Sequence, residues 1–328
     1  MAILFVNNSP LLFGNYLTTS TLERDSAYSP YGIITDAVFD NQSSSPMRPN
    51  VFIDAAVGDL WVHFRARSSG DVFDSDSDGD LFEAYDANGD LVARLDATNG
   101  DFRAEAIGDT NVFGASTFTW ADNQNKTIDM RIAVGANVEV FVYENGTLVS
   151  SASAANTGAK LIPVDLIWRV VDLNDVSNPG EWYFSEFIVT DGEDTRGWRL
   201  ATLEAASAGF YTDFVGDFNQ LGDRQLVSGA ASATDGDRVS SGLSAYGGAA
   251  STVRAVVNVA NAQRGPAGIS QLTQFLRIGG TDYSGATETF ATGEKKQLIQ
   301  VWNDNPATAV PWVTGDLATL EMGLLANT

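Results

Sequence analysis

Apolar residues recur at every second position through much of this chain. Over residues 60–67 one face reads Leu60, Val62, Phe64 and Ala66, the other Trp61, His63, Arg65 and Arg67. Successive side chains of a strand point to opposite sides, so the alternation predicts a half-buried strand. Ile128, Met130 and Ile132 alternate with Thr127, Asp129 and Arg131, and Val138, Val140 and Val142 with Asn137, Glu139 and Phe141. Val164, Leu166, Trp168 and Val170 form a further face. Residues 182–189, 252–259, 272–278 and 298–302 also read as strands, and 198–203 is apolar again after a polar turn.

Turns punctuate these runs. Asn88-Gly89 separates residues 81–85 from 91–95, Asn145-Gly146 separates 138–143 from 148–150, and Asn99-Gly100 precedes 102–107. Asn-Gly supplies the positive φ angles of a tight hairpin. Strands at this spacing predict a sandwich or barrel. No long amphipathic helix stands out; the best short turn is 314–320, with Thr314 as its cap. The texture loosens after Gly209, with a Gly-, Ser- and Ala-rich stretch over 228–250 that is expected to gain order only against a partner. The expected organisation is all-β, with one domain over 1–204 and a smaller β-sandwich over 205–328. If Leu272, Gln274, Leu276 and Ile278 point inward, Gln274 is buried and Phe275 lies on the outer side.

Charge changes the picture. The formal net charge over 328 residues is −23. Such a chain repels phosphate backbones, because nucleic-acid affinity comes mainly from Lys and Arg displacing counterions. It disfavours anionic membrane surfaces too. No apolar run approaches the ~20 residues that span a bilayer. Residues 1–6 are apolar but lack a basic flank and a cleavage site, so they read as a first strand rather than a signal peptide. With no Cys and one His, disulfides and the usual zinc sites are excluded.

Little of the remaining chemistry is catalytic in pattern. Asp74, Asp76, Asp78 and Asp80 alternate through a loop containing Gly79. Calcium takes 6–8 oxygen ligands, and such a loop could supply several. The EF-hand pattern fails, since Tyr85 stands where its Glu belongs. An exposed acidic turn is the alternative reading. His63 would have to be the base of any Ser–His–Asp triad, yet no Gly-x-Ser-x-Gly elbow occurs. A glycosidase needs only two carboxylates. The nearest cluster, Glu181, Glu186 and Asp191, does not match the Glu-x-Asp-x-x-Glu spacing of laminarinases with a concanavalin A-like fold. Trp182, Trp198, Trp302 and Trp312 could stack on sugars, although core packing is the commoner use of Trp.

Two resemblances add to this reading. Residues 131–147, a strand followed by a hairpin closed at Asn145-Gly146, resemble concanavalin A-like, laminin-G-like jelly rolls. Residues 183–189 with 193–200, and residues 301–308 with Trp312 and 316–324, are similar to structural proteins of tailed bacteriophages. Together they imply a jelly-roll domain followed by a smaller sandwich, made in the host cytoplasm and carried on the virion surface as a tail-tip, fibre or capsid-decoration element. They imply no catalytic residue. The expected partners are other virion proteins, further copies in a closed homo-oligomer (a trimer above all) and a host surface glycan. A lectin-like carbohydrate-binding module is the alternative function, and a glycoside hydrolase a third.

If the four Asp residues form a calcium site, the cation should raise the melting temperature, since a ligand that binds only the native state stabilises it. Asp76→Asn should abolish that response. No shift at millimolar calcium identifies an exposed acidic turn.

Overall fold

The computed structural model describes residues 2–7, 13–14, 22–23, 36–39, 47–49, 53, 56–69, 78–98, 101–115, 118–121, 124–169, 181–216, 220–221, 229–248, 252–266 and 268–328. Two compact units divide the chain between Leu200 and Ala201.

The first unit contains β1 (Ala2–Asn7), β2 (Phe13–Gly14), β3 (Leu22–Glu23), β4 (Asp36–Phe39), β5 (Arg48–Pro49), β6 (Leu60–Ser69), β7 (Asp78–Tyr85) and β8 (Leu91–Thr98). It continues with β9 (Asp101–Ile107), β10 (Asn111–Phe113), β11 (Phe118–Thr119), β12 (Asn125–Val134), β13 (Asn137–Glu144), β14 (Thr147–Ala155), β15 (Asp165–Trp168) and β16 (Glu181–Asp191). An eight-stranded antiparallel sheet runs β14-β13-β12-β6-β16-β4-β3, with β1 also on β16. A six-stranded sheet runs β10-β9-β8-β7-β15, with β11 also on β9.

The alternation seen in the sequence decides which residues lie between the sheets. Val62, Phe64, Met130, Val140 and Val142 from the large sheet are fully buried, as are Phe82, Leu95, Phe102 and Ala104 from the small one. An aromatic cluster joins the layers: Phe64 lies 6.3 Å from Phe82 and 6.2 Å from Phe184, and Trp168 lies 5.3 Å from Phe82 and 5.0 Å from Phe187. Each such ring contributes about 1.5–3 kcal/mol by leaving water. Along one side the sheets are stitched together. Ser150 Oγ on β14 accepts from Ala104 N of β9 at 2.9 Å and donates to Ala115 O at 2.8 Å. A Cβ on Gly108 would stand 2.1 Å from Ala155 O, and one on Gly114 2.5 Å from Ser151 O, so only glycine permits this approach.

The outer face of the large sheet departs from expectation. Its residues are polar, yet His63, Asp129, Ser185 and Glu186 have no solvent exposure. The segment from Gly192 to Leu200 covers them. Thr195 Oγ1 donates to Asp129 Oδ1 at 2.8 Å, and His63 Nδ1 lies 2.7 Å from the same oxygen. Arg196 stacks 4.6 Å from the Tyr143 ring. A bulge in β16 supplies the main fastening. Ser185 pairs with Arg65 and Ile188 with His63, leaving Glu186 and Phe187 opposite a single residue. Glu186 has φ +56°, and its carboxylate accepts from Arg199 Nε at 2.7 Å, Arg199 Nη2 at 2.6 Å and Leu200 N at 3.1 Å, with Arg65 Nη1 at 3.4 Å. Residues 198–203, apolar in the sequence, therefore begin as part of this strap, and its Trp198 is buried.

The second unit contains β17 (Ala205–Thr212), β18 (Arg238–Leu243), β19 (Val256–Gln263), β20 (Gln271–Ile278), β21 (Thr281–Thr289), β22 (Lys295–Trp302), β23 (Asp304–Asn305), β24 (Val310–Pro311) and β25 (Glu321–Asn327). A five-stranded sheet runs β17-β18-β25-β20-β21, and β19 pairs with β22. Leu276, Val256, Trp302, Trp312 and Leu320 form one core cluster, and Phe214, Val239 and Ala326 another. Gln274 is buried, and its Nε2 donates to Asn258 O at 3.0 Å, so the inward amide links β20 to β19. Phe275 lies on the other side of its sheet but is itself buried, 5.8 Å from the Tyr211 ring. Two expectations are corrected here. The stretch expected to be loose contains β18, hydrogen-bonded between β17 and β25. The turn Thr314–Thr319 is a 3-10 helix that starts after Val313, whose N donates to Asp316 Oδ2 at 3.0 Å, so Thr314 is not its cap.

Removing one partner of a buried ion pair leaves the others uncompensated. Glu186→Gln should therefore lower unfolding free energy in urea by about 3 kcal/mol. Asp194→Asn breaks only the exposed pair with Arg196 and should cost under about 1 kcal/mol. Equal effects would contradict the fastening role of Glu186.

Candidate functional site

The outer face of the six-stranded sheet carries an array of paired charges whose guanidinium groups are partly exposed and whose carboxylates are largely covered. Its register is set at the Asn88-Gly89 turn. Asp86 Oδ1 accepts from Asn88 N at 2.9 Å and Asp90 N at 3.1 Å, while Gly89 takes φ +80°. The pairing that follows places Glu83 opposite Arg94 and Asp80 opposite Asp96. Across the next interface Arg94 faces Glu105 and Asp96 faces Arg103. Phe113 on β10 then pairs with Glu105.

These positions form a ladder of three neighbouring groups of contacts. Arg94 reaches Asp80 Oδ2 with Nη1 at 3.1 Å and Glu105 Oε2 with Nε at 3.0 Å. Arg103 Nε donates to Asp96 Oδ2 at 2.7 Å, and Arg169 Nε to Glu83 Oε2 at 2.6 Å. Asn111 Nδ2 donates to Glu105 Oε1 at 2.8 Å. The Arg103 guanidinium lies 4.1 Å from the centre of the Phe113 ring, which is 47% exposed.

Four carboxylates and three guanidinium groups share this face, so the acids are crowded. Burial is the largest cause that pushes the Asp80 carboxyl up to about 6; Arg94 pulls it down, while Glu83 and Asp96 add to the rise. Burial also raises the Glu105 carboxyl, against the opposing pull of Arg94. The Tyr85 phenol is raised by burial and then by neighbouring Glu83. The array can hold a polar ligand with fixed donors and acceptors, next to one open aromatic face.

Of the acidic run, Asp74 and Asp76 lie outside the described residues. Asp78 is in β7 opposite Thr98, and Asp80 is engaged by Arg94. Among the described residues no cluster of three or more His, Asp or Glu could hold a metal. Of the residues considered for glycoside hydrolysis and sugar stacking, the side chains of Glu181 and Trp182 lie outside the described residues, and Glu186 and Asp191 are each engaged elsewhere. Glu186 is closed off in ion pairs, and Asp191 accepts from Val57 N and Gly58 N at 3.0 and 2.8 Å. His63 is sealed beneath the strap, while Trp198, Trp302 and Trp312 are core residues. Sequence reasoning missed the ladder. Its signal was present in the alternation Arg94, Asp96, Thr98 and Asp101, Arg103, Glu105 along two expected strands, but only the register shows that opposite charges meet.

No protein-family model matches this chain, and comparison with curated proteins finds no similar one. Solved structures to which it is similar include an endo-β-1,4-glucuronan lyase from the fungus Trichoderma reesei, at 11% identity and TM-score 0.41, over 57% of this chain and 95% of that one. The cellulose induced protein Cip1 is similar at 13% identity and TM-score 0.39, over 56% and 88%. The receptor binding domain of botulinum neurotoxin type G is similar at 11% identity and TM-score 0.36, over 56% and 45%. Likenesses at this level fix neither a ligand nor an activity.

The Asp80 carboxyl gives the site a pH signature. Its folded value of about 6 exceeds the ordinary 3.8, so the folded state binds this proton more tightly. The stability it contributes is fully present below about pH 4 and is lost as pH rises through about 6. Asp80→Asn removes this loss. The melting temperature of the variant relative to wild type should therefore rise between pH 4 and pH 7. A difference constant over that range would contradict the placement of Asp80.

Proposed function

We propose that this chain is a non-enzymatic, lectin-like binding protein of a tailed-phage surface, and that a saccharide lies on the outer face of the six-stranded sheet. One observation carries the reading: the Arg94 and Arg103 guanidinium groups, each held by carboxylates, share one face with the half-exposed ring of Phe113. A sugar presents vicinal hydroxyls at its edge and C–H groups on its face. The hydroxyls suit Asp, Asn and Arg groups held in fixed positions, and the C–H face suits an aromatic ring. Fixing these side chains beforehand spares the ordering cost at binding. The net charge of −23 accords with a ligand that is not a polyanion.

The virion setting is supported by the similarity of residues 183–200 and 301–324 to phage structural proteins, and it includes assembly as a closed homo-oligomer. Attachment to a host glycan is then the task of the first unit, and bond cleavage has no part in it.

Glycan arrays probed with the full chain should show saturable binding without turnover of the ligand. Phe113→Ala should weaken that binding about tenfold, or ~1.4 kcal/mol, with an unchanged melting temperature because the ring is half exposed. A wild-type protein that retains no glycan, or a Phe113→Ala variant with full affinity, would overturn this reading.

A further inference from the structure

The second unit carries an exposed aromatic ring built in the same manner on an unrelated strand pattern. Strand β17 loses register with β18 between Ala208 and Thr212. The intervening residues pass over the outer face of their own sheet. A Cβ on Gly209 would stand 2.3 Å from Ser240 Oγ and 2.5 Å from Glu321 Oε2, so the chain is pressed onto that face where only glycine fits. Glu321 Oε2 accepts from Phe210 N at 2.8 Å and Ser240 Oγ at 2.7 Å, and Tyr211 N donates to Ser240 Oγ at 3.1 Å.

The side chains of this crossing are then fixed from below. Tyr211 packs edge-on against buried Phe275, and its hydroxyl donates to Asp282 Oδ2 at 2.7 Å. Arg238 Nη1 donates to the same oxygen at 2.7 Å and to the Tyr211 hydroxyl at 3.0 Å. Arg277 Nη1 donates to Asp282 Oδ1 at 2.7 Å, and its guanidinium lies 4.1 Å from the centre of the Phe210 ring. Phe210 nevertheless remains 66% exposed. One face of the ring rests on a guanidinium that a carboxylate holds still, and most of the ring stays in water. Folding does not require an aromatic there, since a polar residue would avoid the cost of wetting it.

The Phe113 site has the same parts. There Arg103, held by Asp96, lies 4.1 Å from the ring centre, with Asn111 and Glu105 beside it. Charge balances at the Phe210 patch, where Arg238 and Arg277 stand against Asp282 and Glu321. A ligand that needs a surplus of either sign is thereby disfavoured, and an uncharged polyhydroxylated ring fits. We propose that the Phe210, Tyr211, Arg238, Arg277 and Asp282 patch is a second saccharide-binding site, which makes the chain bivalent for a repeating glycan. The inference rests on the glycan reading of the first unit for the class of ligand, but uses no residue of that site.

Two sites on one chain raise retention on a polymer far above the affinity of either alone, by a factor of about 100 or more when both engage. The test uses the full chain as wild type, Phe113→Ala, Phe210→Ala and the double variant. The probes are the uncharged glucans dextran, laminarin and pullulan in affinity gels, and the matching hexasaccharides by calorimetry. The wild type should bind two hexasaccharides per chain, and each single variant should keep one site at full affinity and weaken the other about tenfold. Polymer retention should fall about tenfold in each single variant and about a hundredfold in the double variant. Phe210→Trp should restore retention, and melting temperatures guard against a folding defect. A single binding site, weakened in Phe113→Ala and unmoved in Phe210→Ala, overturns this inference alone. A site weakened only in Phe210→Ala overturns the first-unit site and leaves the second. Failure of every probe to bind the wild type overturns both.

Discussion

Glu186 holds a negative charge where water does not reach it, in the middle of a strand that pairs on both sides. Desolvating a carboxylate costs several kcal/mol unless its oxygens find donors. The bulge in β16 brings two guanidinium groups and a backbone amide to those oxygens, at the further cost of a left-handed backbone in a residue other than glycine. What the arrangement gains is coverage. The strap that Arg199 and Leu200 belong to lies over polar side chains of the large sheet that would otherwise face solvent. The same carboxylate thus sets the path of the chain as it leaves the first unit.

Closing that face leaves the small sheet as the open one. There the charges are neutralised by one another, and the guanidinium groups of Arg94, Arg103 and Arg169 keep partial access to water while the carboxylates are largely covered. Arg94, shared between Asp80 and Glu105, and Arg103, shared between Asp96 and Phe113, are held without being hidden. The contrast separates two placements of the same chemistry: Arg–carboxylate pairs sealed under a strap, and pairs whose guanidinium groups stay partly exposed beside the Phe113 ring.

Much of the framework was legible in the sequence. The alternation at residues 60–67 and 128–142 gave the right faces because each of these strands has one wholly buried side. The Asn88-Gly89 and Asn145-Gly146 turns located two hairpins, with positive φ at Gly89, Asn145 and Gly146. The strand β18 was not legible, and its packing says why. Ser240 is buried against a crossing segment that leaves no room for a larger side chain, and Gly323 sits where a Cβ would meet the Phe275 ring at 2.2 Å. Small residues there reflect crowding, which composition alone cannot distinguish from looseness. The charged ladder stayed hidden for a different reason. Its charges are visible along each strand, but their pairing depends on register, and register is a property of two strands.

The seam beside β14 also governs where the chain tolerates added material. Gly108 and Gly114 have backbone atoms of β14 against them on the side where a Cβ would go, so a peptide spliced in at either point would wedge the two layers apart. The Asn88-Gly89 turn has no such neighbour: nothing lies within 4 Å of a Cβ built on Gly89, and residues 87–90 are exposed. A fluorophore, an affinity tag or a second binding module grafted at that turn would project into solvent, anchored by Asp86 at its base. The molecule thus offers an attachment point on its own terms, at the end of the sheet whose open face carries the ladder.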